Sequence, residues 1–484
     1  MRLLVDNIHT VIEDCPPRIL LALDRRLSYP VKGAWFSHSF KAGRWDGKVH
    51  LIRVTKDKGY TFPTGLLPDV MRALDNLRVR YEVCSGLHGS CDVTRLESPP
   101  AHPMALHPWT ATREPRSYQK QAVDAWFDGG GKGLPGIGIL SMPIRSGKTF
   151  TAALIIERLG ARTLFVVPSL LLLEQTAKVC RECFGDLVIG EMGGGRDTEG
   201  DITVATYQSL MVAYRDRRKD CMRFLDTIDL LIVDELHHAE AEEWRKPLFA
   251  CNARYRLGLS ATVYVSRTNP NEVGAIWLKA LCGPIVFQVD MAYLVRKGWL
   301  VKTTIAFHTI ENPKTDEKWS QRLYSKCITN NTERNARIVS EAVLAKSEGK
   351  RCLVDIGRVA HGRILLGLLR KAGLKTELLI GSADDETRGS ALLALKERRI
   401  DVLVSTLLGE GVDIPELEVV VNAEGGAGRK GTIQRLRNMT IREGKDSALI
   451  VDFVDLTSHY LAEHSKQRIA SYRKEGCFDV IVRS

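Results

Sequence analysis

The chain has 484 residues, of which 44% are hydrophobic and 26% charged, with 69 Lys plus Arg against 58 Asp plus Glu and a net charge of +11. That length is too great for one hydrophobic core and calls for two to four domains, and the lack of an apolar run of eighteen residues argues against a membrane-spanning helix. The basic surplus suits a polyanionic partner without specifying a fold, and eleven cysteines scattered without a framework fit reduced thiols in a cytoplasm. The first residues, MRLLVDNIHTVIEDC, reach Asp6 too early for a secretory apolar region, so a cytoplasmic protein is expected.

Residues 1–96 mix short apolar alternations with turns and are expected to form a small α+β domain. Residues 1–60 carry 11 Lys plus Arg against 6 Asp plus Glu, and aromatics interleave with the cations in YPVKGAWFSHSFKAGRWDGKVHLI. Cations neutralise phosphates and aromatic faces stack on bases, a combination suited to single-stranded or branched nucleic acid, with Trp45 and Lys48 as candidates. The alternative is a hairpin in which Trp35, Phe36, Phe40 and Trp45 fill a small core. Asp46-Gly47 reads as a tight hairpin turn. Residues 97–115, ESPPAHPMALHPWTATREP, read as a linker.

From residue 116 to 290, short continuous apolar runs alternate with amphipathic stretches: GIGILSM, RTLFVVP, DITVAT, LLIVD and YRLGLSA. This is the pattern of strands buried on both faces of a parallel sheet. The first run enters PIRSGKT and then a helical stretch, which is the strand–loop–helix setting of a phosphate-binding loop. Met142 and Arg145 replace glycines of the usual pattern, while Pro143, Ile144, Ser146, Gly147, Lys148 and Thr149 complete the candidate cradle. Lys148 is expected on the β and γ phosphates of ATP and the Thr149 hydroxyl on Mg²⁺. The run LLIVDELHHAE ends a strand in Asp234-Glu235, one carboxylate for Mg²⁺ and the next to polarise the attacking water. Cys180 and Cys183 continue a helical pattern and are expected to pack rather than bind zinc. The Gly-rich stretches at 128–133 and 190–201 are expected to be surface turns, with phosphate contact as the alternative for the second.

Between 291 and 484 the alternation repeats in RCLVDIG, KTELLIG, DVLVST, VVVNAE and SALIVDF. Two such arrays predict two doubly wound, parallel-sheet α/β domains.

Taken in order, these stretches resemble superfamily 2 helicases of the DExH type, from about residue 113 to 455. RSYQKQAVDAW is similar to the adenine-recognising segment, with Tyr118 and Gln119. MPIRSGKT matches motif I, VVPSLLLLEQ with Pro168 motif Ia, and TVATYQSL with Thr206 and Gln208 motif Ib. DELH, with His237, matches motif II. GLSATV resembles motif III, where Ser260 and Thr262 couple hydrolysis to strand movement. LVDIGRVAHGRIL, with Gly357 and Arg358, looks like motif IV. VLVSTLLGEGVDIPELEVVV resembles motif V, placing Ser405 and Thr406 on nucleic acid and Gly411 and Asp413 near the nucleotide. Motif VI begins at Gln434 in GTIQRLRNMTIREGK, with Arg437 first and Arg435 second as candidates for the arginine at the γ-phosphate. Arg442 is a third, and Asn438 departs from the family pattern there.

The resemblance implies two tandem RecA-like domains, ATP and Mg²⁺ as ligands, ATP held between the domains, and backbone contacts to nucleic acid with little sequence specificity. GRWDGKVHLI followed by GYTFPTGLLPDVMRAL further resembles the front domain of the UvsW-type helicases of T-even phages. That implies a phage-encoded monomer in a host bacterial cytoplasm, remodelling branched DNA and R-loops, with single-strand-binding or recombination proteins as possible partners. A double-strand translocase of a larger complex, an RNA helicase and a catalytically dead binding module remain open alternatives. Removal of residues 1–96 is expected to spare basal ATP hydrolysis.

Overall fold

The computed structural model describes residues 1–31, 33–55, 59–85, 101–102, 104, 112–131, 134–143, 146–261, 273–318, 320–381, 383–406, 417–426, 445, 447–474 and 478–483. It divides into two compact units, Met1–Val289 and Asp290–Ser484.

The front of the first unit is a five-stranded sheet built from β1 (Arg2–Val5), β2 (His9–Glu13), β5 (Arg53–Thr55), β6 (Gly59–Pro63) and β7 (Glu82–Ser85), in the order β5-β6-β2-β1-β7. Apolar residues alternate along β1 and β2, so one face is buried under the helices Pro17–Arg26 and Leu67–Asn76. β3 (Ser28–Pro30) and β4 (Lys48–His50) pair separately, antiparallel. This corrects the tight hairpin at Asp46-Gly47. The turn is there, with Gly47 at φ +79 and the Asp46 carboxylate accepting from the Lys48 N–H at 3.0 Å. Yet β4 pairs with β3, and residues 31–47 form an excursion containing the short helices Ala34–Phe36 and His38–Lys41.

The rest of the first unit is an eight-stranded sheet in the order β11-β10-β12-β9-β13-β14-β8-β15. Its strands are β8 (Ile137–Ser141), β9 (Thr163–Val167), β10 (Ile189–Gly193), β11 (Arg196–Asp197), β12 (Ile202–Thr206), β13 (Leu230–Val233), β14 (Tyr255–Ser260) and β15 (Ile285–Gln288). All neighbours are parallel except the short β10–β11 pair. The five apolar runs supply β8, β9, β12, β13 and β14, each buried along its whole length. The stretch at 190–201 is only partly a surface turn. Gly190 to Gly193 extend β10 inside the sheet, because a Cβ at Gly190 would strike the Thr198 carbonyl, and the turn is confined to Gly194 and Gly195 at φ +60 and +82.

The front sheet and the motor sheet share a core. Leu66, Leu67, Val70 and Leu74 pack with Ile137, Ile276, Trp277 and Ala280, the last three on the helix Val273–Cys282. Gly65 lies so close to that helix that a Cβ would run into the carbonyls of Lys279 and Ala280. Asp69 pairs with Lys279, and Asn7 Nδ2 donates to the Asn252 carbonyl at 2.9 Å. Removing residues 1–96 would therefore uncover Ile276 and Trp277. Ala101 and His102 also dock, their N–H groups donating to the Asp229 carboxylate at 3.2 and 2.6 Å.

The second unit is a seven-stranded, all-parallel sheet in the order β18-β19-β17-β20-β21-β16-β22. Its strands are β16 (Lys302–Ile310), β17 (Cys352–Asp355), β18 (Thr376–Leu379), β19 (Val402–Ser405), β20 (Val419–Asn422), β21 (Ser447–Asp455) and β22 (Phe478–Arg483). Five of these coincide with the apolar runs of the sequence. Both units thus hold the doubly wound, largely parallel sheets expected of RecA-like domains. No helix among the described residues is long and apolar enough to cross a membrane.

Gly65→Ala should destabilise the first unit by about 1–3 kcal/mol through overpacking. A thermal-unfolding midpoint unchanged from wild type would contradict the shared core.

Candidate nucleotide and nucleic-acid sites

At the C-terminal edge of the first unit's sheet, β8 runs into the loop that opens the helix Lys148–Leu159. Gly147 caps that helix at φ +77, a left-handed conformation that suits glycine. Ser146 is fully buried, its hydroxyl donating to the Pro143 carbonyl at 2.7 Å. The Ser146 carbonyl in turn accepts from the Tyr118 hydroxyl and, at 3.0 Å, from Gln119 Nε2. Gln119 Oε1 accepts from the Arg116 N–H at 2.9 Å, so this fully buried amide spans the helix start and the loop. A Cβ on Gly147 would lie 2.6 Å from Gln119 Nε2. The loop's described end is thus tied from behind at Ser146, and the N–H groups of the first helical turn are of the kind that can receive an anion. Ile144 and Arg145 lie outside the described residues.

Strand β13 delivers Asp234 and Glu235 to the same edge. Asp234 N–H donates to the Val166 carbonyl at 2.9 Å, and its carboxylate accepts from the Glu235 N–H at 2.9 Å. Glu235 adopts φ 44, an uncommon conformation for a non-glycine residue that turns its side chain sharply off the strand. Lys148 Nζ stands 3.4 Å from Glu235 Oε1, both side chains about one-tenth exposed. His237 Nδ1 lies 3.5 Å from Glu235 Oε2. Ser260, at the end of β14, is fully buried, and its carbonyl accepts from the Met142 N–H at 3.0 Å, linking that strand end to the loop's entrance. Thr149 is half-buried on the first turn, beside Lys148. A hydroxyl and a carboxylate, Thr149 and Asp234, are an oxygen donor set suited to a hard cation such as Mg²⁺.

A second concavity of about 450 Å³ lies on the same unit, lined by Pro168, Thr206, Gln208, Gly194, Arg196 and Arg217 among others. Thr206 caps the helix Tyr207–Asp216, accepting from the Ser209 N–H at 3.1 Å, and Gln208 is exposed. The three residues chosen from the sequence thus meet the glycine turn at 194–195 and two arginines, Arg196 and Arg217, that were not chosen. In the second unit, Gly357 and Arg358 follow β17. The Arg358 guanidinium sits 4.0 Å over the Tyr324 ring, and Thr406 Oγ1 accepts from the Gly381 N–H at 3.0 Å. Ser405 is buried, its carbonyl accepting from the Ile356 N–H at 3.0 Å. Thr262, Gly411, Asp413, Gln434, Arg435, Arg437, Asn438 and Arg442 lie outside the described residues. Cys180 and Cys183 are buried on the helix Leu170–Cys183, and burial pushes their thiols up to about 12 and about 11.

In the front sheet, Trp45 is half-buried and its indole N–H donates to the Lys48 carbonyl at 2.7 Å, tying the turn, while Lys48 is exposed. Within the excursion, Trp35, Phe36 and Phe40 are the described aromatics that face solvent. The sequence could not distinguish these, because aromatic residues of a 17-residue excursion show no periodicity to tell inside from outside. His50 bridges Asp24 and Asp46, with nitrogen–oxygen distances of 2.9 and 3.0 Å. These contacts, Asp24's first, hold its imidazole above its ordinary value despite partial desolvation.

Two families match in succession. Residues 112–265 match the family described as type III restriction enzyme, res subunit, and residues 334–437 match the helicase conserved C-terminal domain. The chain is a superfamily 2 helicase. Its motor is accordingly of an ATP-hydrolysing class. It is similar to the ATP-dependent DNA helicase uvsW of Enterobacteria phage T4, 22% identical, covering 96% of this chain and 95% of that one. It is also similar to a protein bearing a helicase assignment in Sulfolobus islandicus filamentous virus, 27% identical over 70% of this chain. The chain spans 64% of that relative's length. Among solved structures, the DNA-bound type ISP restriction-modification enzyme LlaBIII shares the fold, with a TM-score of 0.57, 16% identity, 77% of this chain and 32% of that one.

Gly147→Ala should weaken nucleotide binding by about five- to a hundredfold, since it combines a strained backbone with the Gln119 clash. A fluorescent-nucleotide titration that matches wild type would contradict the cradle. A second prediction concerns His50. Its folded pKa is raised, so the bridge to Asp24 and Asp46 is fully present below the imidazole's ordinary value and is lost as pH rises through the elevated one. Protection of residues 44–50 relative to the intrinsic exchange rate at each pH should fall over that rise, and His50→Gln should remove that fall.

Proposed function

We propose that the protein is an ATP-driven DNA helicase or translocase that remodels forked DNA and R-loops. The observation that carries this is the meeting of Lys148 and Glu235 at the mouth of a pinned phosphate loop, in a chain whose two family matches are both of motor domains. The DNA assignment draws on the relative that spans nearly the whole chain, a phage protein named as a DNA helicase.

The chemistry follows from the placement of the side chains. The N–H groups at the start of the helix Lys148–Leu159 receive phosphate oxygens, and Lys148 exchanges its carboxylate partner for the β and γ phosphates of ATP. That exchange releases Glu235 to accept a proton from water as its oxygen bonds to the γ-phosphorus and the bond to ADP breaks. Thr149 and Asp234 would hold the magnesium, which supplies charge neutralisation to the phosphates when bound. Ser260, bonded to the loop's entrance, is placed to pass a change there along β14. Arg437 or Arg435 would complete the γ-phosphate contacts. Pro168, Thr206, Gln208, Gly357, Arg358, Ser405 and Thr406 would hold backbone phosphates, which carry no direct sequence information.

A translocase that moves on intact duplex is the second reading, favoured by the match of residues 112–265 to a restriction-enzyme family. Strand displacement from a fork, measured beside triplex displacement from uninterrupted duplex, separates the two. Glu235→Gln should lower ATP turnover by about 10²–10⁴-fold with nucleotide still bound, and Lys148→Ala should lose binding and turnover together. A Lys148→Ala protein releasing phosphate at the wild-type rate on forked DNA would overturn the assignment.

A further inference from the structure

Among the described residues, Trp35 and Phe36 are 57% and 75% exposed, on neighbouring positions of one short helix. Side chains of this size seldom stand so far into water without a partner, particularly as a pair. Their rings touch, with centroids 5.7 Å apart and planes inclined by 47°, so each keeps an outward face. Phe40, 39% exposed, lies on the following helix.

The loop that carries them is fastened. Ala34, between Gly33 and Trp35, is buried, and a Cβ on Gly47 would press on both Ala34 and the Phe40 ring. Val31 N–H donates to the Gly47 carbonyl at 2.8 Å, Trp45 closes on Lys48 at 2.7 Å, and His50 clasps Asp46 and Asp24. A held excursion that presents two aromatic faces is a platform, since little ordering entropy remains to be lost on binding.

The same unit holds a groove of about 620 Å³, walled by Arg25, Arg26 and Tyr29 on the front domain and by Ile276 and Lys279 on the motor helix Val273–Cys282, with Asp69 also in its lining. Asp69 is neutralised by Lys279 and by Arg72 at 3.4 Å. Arg25 and Arg26 are exposed and form no ion pair among the described residues. Strand β3 forms one wall, and its last residue, Pro30, precedes Trp35 by five positions in the sequence. Residues 25–53 carry seven Lys plus Arg and one acid, Asp46.

We propose that this surface is a DNA-strand site: Trp35 and Phe36 stack on unpaired bases at a fork, and Arg25 and Arg26 take the phosphates of the same strand. It rests on the DNA-motor reading above and goes beyond it by naming a site outside the helicase motifs. The occupant follows from chemistry. Paired bases hide their faces within the duplex, so an aromatic shelf ringed with cations selects strand that is already open. Because Ile276 and Lys279 belong to the motor's own helix, strand held there lies against the same compact unit that carries the nucleotide loop.

The test uses the full chain and a fork whose unpaired arm carries 2-aminopurine next to the junction. Wild type should bind the fork more tightly than blunt duplex and quench the probe. Trp35→Ala with Phe36→Ala should weaken fork binding about ten- to a hundredfold and abolish the quench, with an unchanged thermal midpoint showing that the fold is intact. Trp35→Phe should restore most of both. Arg25→Ala with Arg26→Ala should reduce the slope of log affinity against log salt by about 1.4. Fork affinity of the aromatic double variant within twofold of wild type overturns the site, and so does a loss confined to anionic phosphatidylserine vesicles with fork binding kept. If wild type itself neither binds forks nor hydrolyses ATP faster on DNA, the motor reading fails and this one falls with it. If wild type does both and the double variant equals it, the shelf alone is wrong.

Discussion

Parallel strands end on a common edge, and the candidate nucleotide site rests on that edge bringing residues 87 positions apart into contact. Strands β8 and β13 are separated by β14, hence by two strand spacings, or about 10 Å. A lysine extended from the end of one strand and a glutamate turned off the other can close that gap, and Lys148 and Glu235 do so at 3.4 Å. The left-handed backbone at Glu235 is part of the same solution, because an extended residue would carry the carboxylate on along the strand. The ion pair is nearly buried. Desolvation offsets much of its attraction, so the pair contributes little net stability.

The phosphate loop departs from the usual glycine pattern at two positions, and the structure describes how one departure is accommodated. Met142 is fully buried and hydrogen-bonded through its N–H to Ser260, so this position acts as the end of a strand. The conformational demand falls on Gly147 instead, behind which Tyr118 and Gln119 converge on a single carbonyl. Residues that the resemblance associates with the adenine thus also fasten the loop. The same economy is seen at the front, where a small sheet of marginal size is completed by the motor's own helix.

The second unit is held differently, by charge in its interior. Arg334 and Arg468 are fully buried, paired with Asp455 at 3.0 Å and Asp452 at 3.1 Å. Their remaining N–H groups donate to the carbonyls of Asn422, Ala423, Phe453 and Gly426. Burial pushes the Asp455 carboxyl up against the pull of both arginines. Such a network is costly unless complete, and what it secures is the backbone at the ends of β20 and β21, where sheet edges of this kind present functional residues.

Much of this was written in local pattern. Ten apolar runs each became a strand because continuous β-branched and aliphatic stretches between polar turns have few other ways to be buried, and a carboxylate pair closing one such run marks an edge. Period and spacing are properties of neighbouring residues, so they survive in the sequence. Strands β10, β15, β16 and β22 were not picked out as apolar runs, and pairing with their neighbours in the sheet defines them. Which aromatics of the front block meet water, whether that block stands apart from the motor, and which arginines join Thr206 and Gln208 are all matters of contact between distant segments. No spacing encodes them, since a side chain on an irregular excursion becomes core or surface only when another part of the chain arrives to cover it or fails to.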